Sequence, residues 1–298
     1  MHGRRRSGDA PGEPSDLITS RDNKWLKAFR AALRGTGPRS GEPIGVEGLK
    51  MVEEALRSGL EAEALLFSES AERDAERFLR AASESTAGVP RSRVLHARDK
   101  LFESVSGTDS PQGVAALFRQ REWTLEDVLR GPGAMRESAP LVAVIAAVQD
   151  PGNVGTIVRS AEAFGATGAI STRGSADPWS PKALRASAGS ALRLPVLRGM
   201  ATPILTAQLR IAGVKIFATA SKHDTGSQMS GISSEVDLRV PAAVFIGNEG
   251  SGLPDEILRA ADGIISIPTS GAVESLNAGI AASIVFYEAA RQRRLAAS

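Results

Sequence analysis

One pattern in the second half of the chain limits the fold more than any other, and it occurs three times. An apolar run breaks into a loop of Gly, Asn, Ser or Glu, and the loop leads into a helical sequence. The first run, Leu141-Val142-Ala143-Val144-Ile145-Ala146-Ala147-Val148, enters Gln149-Asp150-Pro151-Gly152-Asn153. The second, Val244-Phe245-Ile246, enters Gly247-Asn248-Glu249-Gly250-Ser251-Gly252-Leu253-Pro254. The third starts at Ile267-Pro268 and runs through Ser275-Leu276-Asn277. A continuous apolar run with no alternation reads as a strand covered on both faces, as in a parallel sheet. Such strands alternating with helices specify an α/β domain, whose ligand site lies at the carboxyl ends of the strands. Glycine lets backbone approach a ligand closely, and small polar side chains bond it without filling the space.

Around these runs the same reading places strands at 168–171, 215–220, 242–246 and 263–267. It places helices at 154–164, 181–188, 203–212, 254–260 and 275–294. The first half reads as a smaller α/β domain over residues 17–120. Helices are expected at 21–33, 47–56, 70–82 and 97–105, with strands at 43–46, 64–67, 94–96 and 114–117. Residues 1–16 read as a disordered basic tail without the apolar core of a signal peptide. Residues 121–139, with Gly131-Pro132-Gly133, read as a linker with a short helix, and 140–298 as the second domain.

Composition removes several chemistries. The chain of 298 residues has no cysteine, which excludes disulfides, thiolate zinc sites, iron–sulfur clusters and a Cys nucleophile. Its three histidines, His2, His96 and His223, are too few and too scattered for a multi-His metal centre, so no metal is expected. The longest apolar run, Leu276–Ala290, is shorter than the roughly 20 residues a membrane span needs. A soluble cytoplasmic protein with no membrane partner is expected. Neither G-x-G-x-x-G nor a P-loop follows any strand, which argues against an ordinary dinucleotide or nucleoside triphosphate site. Residues 1–39 carry nine Lys/Arg against four acids. That excess suits phosphate tracking, and equally a solvated tail plus an amphipathic helix.

Taken singly, the polar residues of the three junctions have ordinary readings. Asn153 reads as a helix cap, Arg159 as half of an ion pair, Glu249 as an exposed loop residue, and Ser275 and Asn277 as caps of the last helix. Three strand-to-loop junctions that each carry such a set are poorly explained by chance.

Together the junctions resemble the three signature motifs of the SpoU family, also called TrmH, of RNA 2′-O-ribose methyltransferases, within the SPOUT superfamily. The matching segments are Asp150 to Gly165, Phe245 to Leu253, and Ile267 through Asn277 into the last helix, so the resemblance covers about residues 140–295. The segments Val46 to Leu56 and Ser110 to Val114 resemble, more loosely, the L30-like substrate-binding domain often fused to this family. The resemblance implies a trefoil-knotted, parallel-sheet methyltransferase domain preceded by a small L30-like α/β domain. It implies S-adenosylmethionine as cofactor, held by Gly247, Ile267 and Leu276 largely through backbone groups. It also implies a catalytic pocket of Asn153, Arg159, Glu249, Ser275 and Asn277, and a homodimer through the C-terminal domain.

The expected partner is RNA, with large-subunit (23S) ribosomal RNA favoured over tRNA on domain layout. A non-catalytic RNA-binding protein on the same scaffold is the competing reading. It is opposed by the intact Arg159, Glu249 and Asn277. The chemistry suits the residues: methyl transfer from a sulfonium is an in-line displacement that needs alignment and proton removal but no metal. Arg159 is a poor base, since a guanidinium is nearly always protonated, and suits phosphate binding and stabilisation of alkoxide charge.

Overall fold

The computed structural model describes residues 17–84, 93–133, 138–220, 230–232, 235–270 and 275–297. The expected tail over 1–16, His223 and residues 271–274 of the third junction lie outside them.

The first sheet is built from β1 (Leu17–Ile18), β2 (Ile44–Glu47), β3 (Ala62–Ser68), β4 (Arg93–Ala97) and β5 (Val114–Phe118), in the order β1-β4-β3-β5-β2. β1, β4 and β3 run parallel, while β5 is antiparallel to both β3 and β2. Strand periodicity sorts its side chains. Ala64 and Leu66 join a core with Leu26, Phe29 and Leu33 of α1 (Lys24–Arg34) and Phe102 of α4 (Asp99–Glu103). Leu65 and Phe67 join the opposite core, with Val52 and Ala55 of α2 (Leu49–Arg57) and Ala75 and Phe78 of α3 (Glu72–Glu84).

The second sheet is entirely parallel. Its strands are β6 (Leu141–Ile145), β7 (Gly168–Thr172), β8 (Val196–Met200), β9 (Lys215–Thr219), β10 (Ser230–Ile232), β11 (Ala242–Ile246) and β12 (Gly263–Ser266). They lie in the order β10-β12-β9-β11-β6-β7-β8. Every residue of β6 and β11 is buried, as uninterrupted apolar runs require. One face is covered by α6 (Pro151–Ala163), α7 (Pro181–Ser187), α8 (Ser190–Arg193) and α11 (Ala278–Ala297). The other carries α5 (Leu125–Arg130), α9 (Thr202–Ile211) and α10 (Asp255–Ala260). α5 sits in the segment read as a linker, and its buried Val128 packs where a side chain at Gly168 would stand.

β1, β8 and β10 are strands that the reading of the sequence did not anticipate. β8 is an edge strand whose Val-Leu-Arg-Gly-Met sequence lacks alternation. Its pairing with β7 shifts register near Gly199, which adopts φ +65°. β10 is three residues at the opposite edge and β1 only two. α6 begins at Pro151, three residues before the expected start, because proline is favoured in a first turn where its missing N–H has no partner to lose. α11 begins at Ala278, with Asn277 ahead of it, instead of at Ser275.

Two charged clusters join the sheets. Arg193 at the end of α8 forms a bidentate pair with Glu162 of α6 (2.7 and 2.6 Å) and reaches Glu54 of α2 at 2.6 Å. Arg198 of β8 binds Asp177 (2.5 Å), the Pro38 carbonyl (3.0 Å) and Gln120 (2.7 Å), with its guanidinium stacked 4.0 Å over Trp179. Burial pushes the Asp177 carboxyl up, against the pull of Arg198. One hydrophobic core also runs unbroken from β2, α2 and β5 to β6, α6 and α8, so the two sheets are fastened in one orientation.

Candidate active site

The site is assembled at the carboxyl ends of β6, β11 and β12. After β6 the chain turns at Ala147, one of two non-glycine residues with positive φ among the described residues (φ 55°). Its N–H donates to the Thr172 hydroxyl (3.2 Å), and its carbonyl accepts from the Asn248 side chain (3.3 Å). Asp150 then caps α6 by accepting from the Gly152 N–H at 3.1 Å. The cap is therefore Asp150, and Asn153 is free for another role. Lys182 of α7 donates to Asp150 at 2.7 Å. That bond first, and the Gly152 N–H second, hold the Asp150 carboxyl below its ordinary range.

After β11 the loop doubles back. The Asn248 side-chain oxygen accepts from the Gly250 N–H (2.9 Å) and the Ser251 N–H (3.3 Å). Gly252, at φ +66°, donates to the Asn248 carbonyl at 2.9 Å. A Cβ on Gly247 would stand 2.7 Å from Gly252 backbone atoms, so only glycine fits there. The tight turn carries Glu249. After β12, Ile267 is half-buried and residues 268–270 are exposed; beyond 271–274, Ser275 is exposed, Leu276 half-buried and Asn277 exposed.

Three of the expected residues meet. Glu249 Oε1 accepts from Asn153 Nδ2 (2.5 Å), Asn277 Nδ2 (2.6 Å) and the Ala278 N–H (3.1 Å). Asn277 Nδ2 also donates to Asn153 Oδ1 at 2.9 Å, and Asn277 Oδ1 caps α11 through the Gly279 and Ile280 N–H groups (3.0 and 3.2 Å). One carboxylate oxygen thus ties the second loop to the first turns of α6 and α11. Those helices approach closely because Gly279 lies where a Cβ would be 2.8 Å from Thr156, and Ser160 and Ser283 share a 2.6 Å hydroxyl bond.

Arg159 and Ser275 stand outside this network. Arg159 is six residues along α6 from Asn153, about 120° round the helix. It lies on a solvent-exposed flank between the stripe facing α11 and Gly155, whose Cβ would strike the Ala183 carbonyl of α7. Among the described residues its side chain makes no hydrogen bond or ion pair. Two contributors escaped the reading of the sequence. Asn248 pins the loop, and an Asn followed by Glu-Gly is a legible turn signal. Lys182 carries no signal, since its contact with Asp150 exists only in three dimensions. Among the described residues, no group of three or more His, Asp or Glu could hold a metal ion, and no helix is long and apolar enough to cross a membrane.

A parallel α/β sheet with an Asn–Glu–Asn cluster across three strand-end loops defines the class, and comparison with known proteins names it. Residues 140–287 match the SpoU rRNA methylase family, and residues 41–116 match the MRM3-like substrate-binding domain. The chain is 32% identical to the 23S rRNA (guanosine(2553)-2′-O)-methyltransferase RlmP of Bacillus subtilis, over 81% of this chain and 86% of that protein. It also superposes on the S-adenosylmethionine-bound rRNA methyltransferase of Sinorhizobium meliloti (TM-score 0.74, 30% identity), covering 92% of this chain and 97% of that one. The cofactor complex of the SpoU methyltransferase AviRb from Streptomyces viridochromogenes gives TM-score 0.74 at 27% identity, covering 92% of this chain and 100% of that one. The chain belongs to the SpoU rRNA methylase family, with an MRM3-like substrate-binding domain at its N-terminal side.

Proposed function

We propose that this SpoU-family RNA 2′-O-methyltransferase methylates a ribose of large-subunit ribosomal RNA, using S-adenosylmethionine. The observation that carries the catalytic reading is the Asn153–Glu249–Asn277 cluster, which three distant segments build at the end of a parallel sheet. A pure RNA-binding scaffold has no need of it. The ribosomal substrate is supported by the RlmP relative and by the match to the SpoU rRNA methylase family.

The loop residues fit the cofactor. Ile267 and Leu276 are half-buried apolar residues at the loop ends, suited to an adenine ring. Among the described residues the main-chain groups of Gly247, Ile267 and Leu276 carry no hydrogen bonds, which leaves them available to read the edge of the base. When bound, S-adenosylmethionine supplies an electrophilic methyl group. The chain's own part is orientation. Glu249 holds Asn153 and Asn277 so that the three loops keep one shape, and Ser275 borders the same loop. Arg159 binds the phosphate next to the target ribose and stabilises negative charge on its 2′-oxygen.

Arg159 and the outer face of α11 point to a homodimer. Ile280, Ile284 and Tyr287 follow one another on the exposed side of α11, while Val285 and Phe286 are spent in the core. Tyr287 stacks edge-on against Phe164, the residue that ends α6, at 5.7 Å, so the exposed apolar stripe reaches the end of the helix that carries Arg159. A second copy on this face brings its own site close to Arg159.

The deciding experiment maps ribose methylation across ribosomal RNA and tRNA from cells with and without the protein. Loss of one 23S position is the expected result. A lost tRNA position overturns the substrate assignment, and no lost position in either overturns the catalytic reading.

A further inference from the structure

A cleft of about 390 Å³ opens between the two sheets, beside the start of α6. One wall is the end of α1 with Arg34 and the loop 106–109; the other is α7, with Lys182 and Arg185. We propose that this cleft grips the phosphodiester backbone of the RNA beside the target nucleotide, with Arg34 and Arg185 as its phosphate ligands. The inference rests on the functional reading above.

The loop wall is held rigid. Glu47 accepts from the Ser106 hydroxyl (2.5 Å), the Gly107 N–H (2.8 Å) and the Thr108 hydroxyl (2.7 Å). Arg34 is held to the same wall through carbonyls, donating to Ser106 (2.7 Å) and Glu103 (3.2 Å). Neither bond neutralises its charge. Arg185 is exposed, and its side chain makes no hydrogen bond or ion pair among the described residues. The one acid among the lining residues is Asp109, and Lys182 is already paired with Asp150. Two guanidinium groups without carboxylates thus face one cleft across a domain junction that Arg193 and Arg198 lock. A guanidinium fork matches phosphate oxygens in pairs.

The ligand is a polyanion because the positive charge continues beyond the cleft. Lys24 and Lys27 lie on the side of α1 that ends in Arg34; Lys27 pairs with Asp22 (3.4 Å) in an exposed contact, and Lys24 has no carboxylate partner among the described residues, so the basic edge runs for three turns. The cleft also borders the site. Lys182 in its wall binds Asp150, and Asn153 follows Asp150 by about 4.5 Å of helix rise. A strand whose ribose reaches the Asn153 end of α6 therefore has its flanking phosphates at this wall.

The test uses the full chain, 23S ribosomal RNA transcribed in vitro, and filter binding at two salt concentrations. Loss of one phosphate contact on a single strand removes about 0.7 from the log–log salt slope, so the defect grows roughly 2.5-fold between 200 and 50 mM salt. Arg185→Gln should show that growing defect, while calorimetric affinity for S-adenosylmethionine and melting temperature stay at wild-type values. Asp109→Asn should tighten RNA binding, a change that a merely structural role does not produce. Wild-type RNA affinity and slope in Arg185→Gln, or weaker binding in Asp109→Asn, overturn the cleft assignment. If those results come from a protein that still methylates RNA, the functional reading stands. If the wild-type protein binds no RNA, both readings fall.

Discussion

Glu249 and Arg159 were read from the sequence as partners in one pocket, yet the structure gives them opposite surroundings. Glu249 is a junction: three N–H donors from two other segments converge on one of its oxygens. Glu249→Ala leaves those donors to water and unties the loops, which should cost about 1 kcal/mol given its exposure. Calorimetry should show a melting point about 2–4 °C lower, and methyl transfer should fall with it. Arg159 has no tie among the described residues, so its replacement carries no broken ion pair. Arg159→Lys keeps the charge but loses the planar fork. Single-turnover transfer should drop roughly 10²-fold, the scale for removing a donor to transition-state charge. Cofactor affinity and melting temperature should not move. A lower melting point with near-normal turnover in the folded fraction would remove Arg159 from the catalytic list.

At the scale of elements, α6 does most of the organising. It starts on a proline, is capped by Asp150, and is glycine where α7 must approach. Asp150 couples the cap to α7 through Lys182, and its folded-state pKa is lowered. The sign follows directly. A carboxyl with a depressed folded pKa contributes stability above its unfolded value and loses it as pH falls through the folded one. Asp150→Asn keeps a capping oxygen and removes the charge. The wild-type advantage in melting temperature should be full at about pH 7 and shrink only as the pH falls below the ordinary carboxylate range of about 4. An advantage independent of pH would mean that packing, not charge, couples α6 to α7.

For the whole molecule, the two sheets act as one body, fastened by a shared core and by Arg193 and Arg198. A rigid body suits an enzyme that sets its chemistry at a fixed distance from an RNA grip. The apolar stripe of Ile280, Ile284 and Tyr287 is the face expected to hold a second copy. Ile284→Asp places a charge in that stripe without touching the core. Sedimentation should show a wild-type dimer at micromolar concentration and a monomer for the variant, with transfer reduced in step. A monomeric wild type would overturn the dimer and leave Arg159 without its expected neighbour.

The central strands and the three junctions could be read directly from sequence, because a strand buried on both faces admits little besides apolar residues and its loop must then be rich in Gly and small polar groups. Taken singly, Asn153, Glu249 and Asn277 have ordinary readings; the resemblance of their junctions to the SpoU motifs nominates them, with Arg159 and Ser275. Edge strands β8 and β10 escaped notice, since a strand with one neighbour and a short span carries no strong pattern. What only tertiary structure decided is which groups touch. Asn153 and Glu249 are 96 positions apart and Asn153 and Asn277 124, and no local preference encodes their bonds. The cap of α6 fell to Asp150, and Arg159 turned to a solvent-facing flank, because helical phase and the packing of α7 and α11 settle direction. The cleft is the extreme case: Arg34 and Arg185 belong to different domains, and only the docking of the two sheets sets them facing one gap.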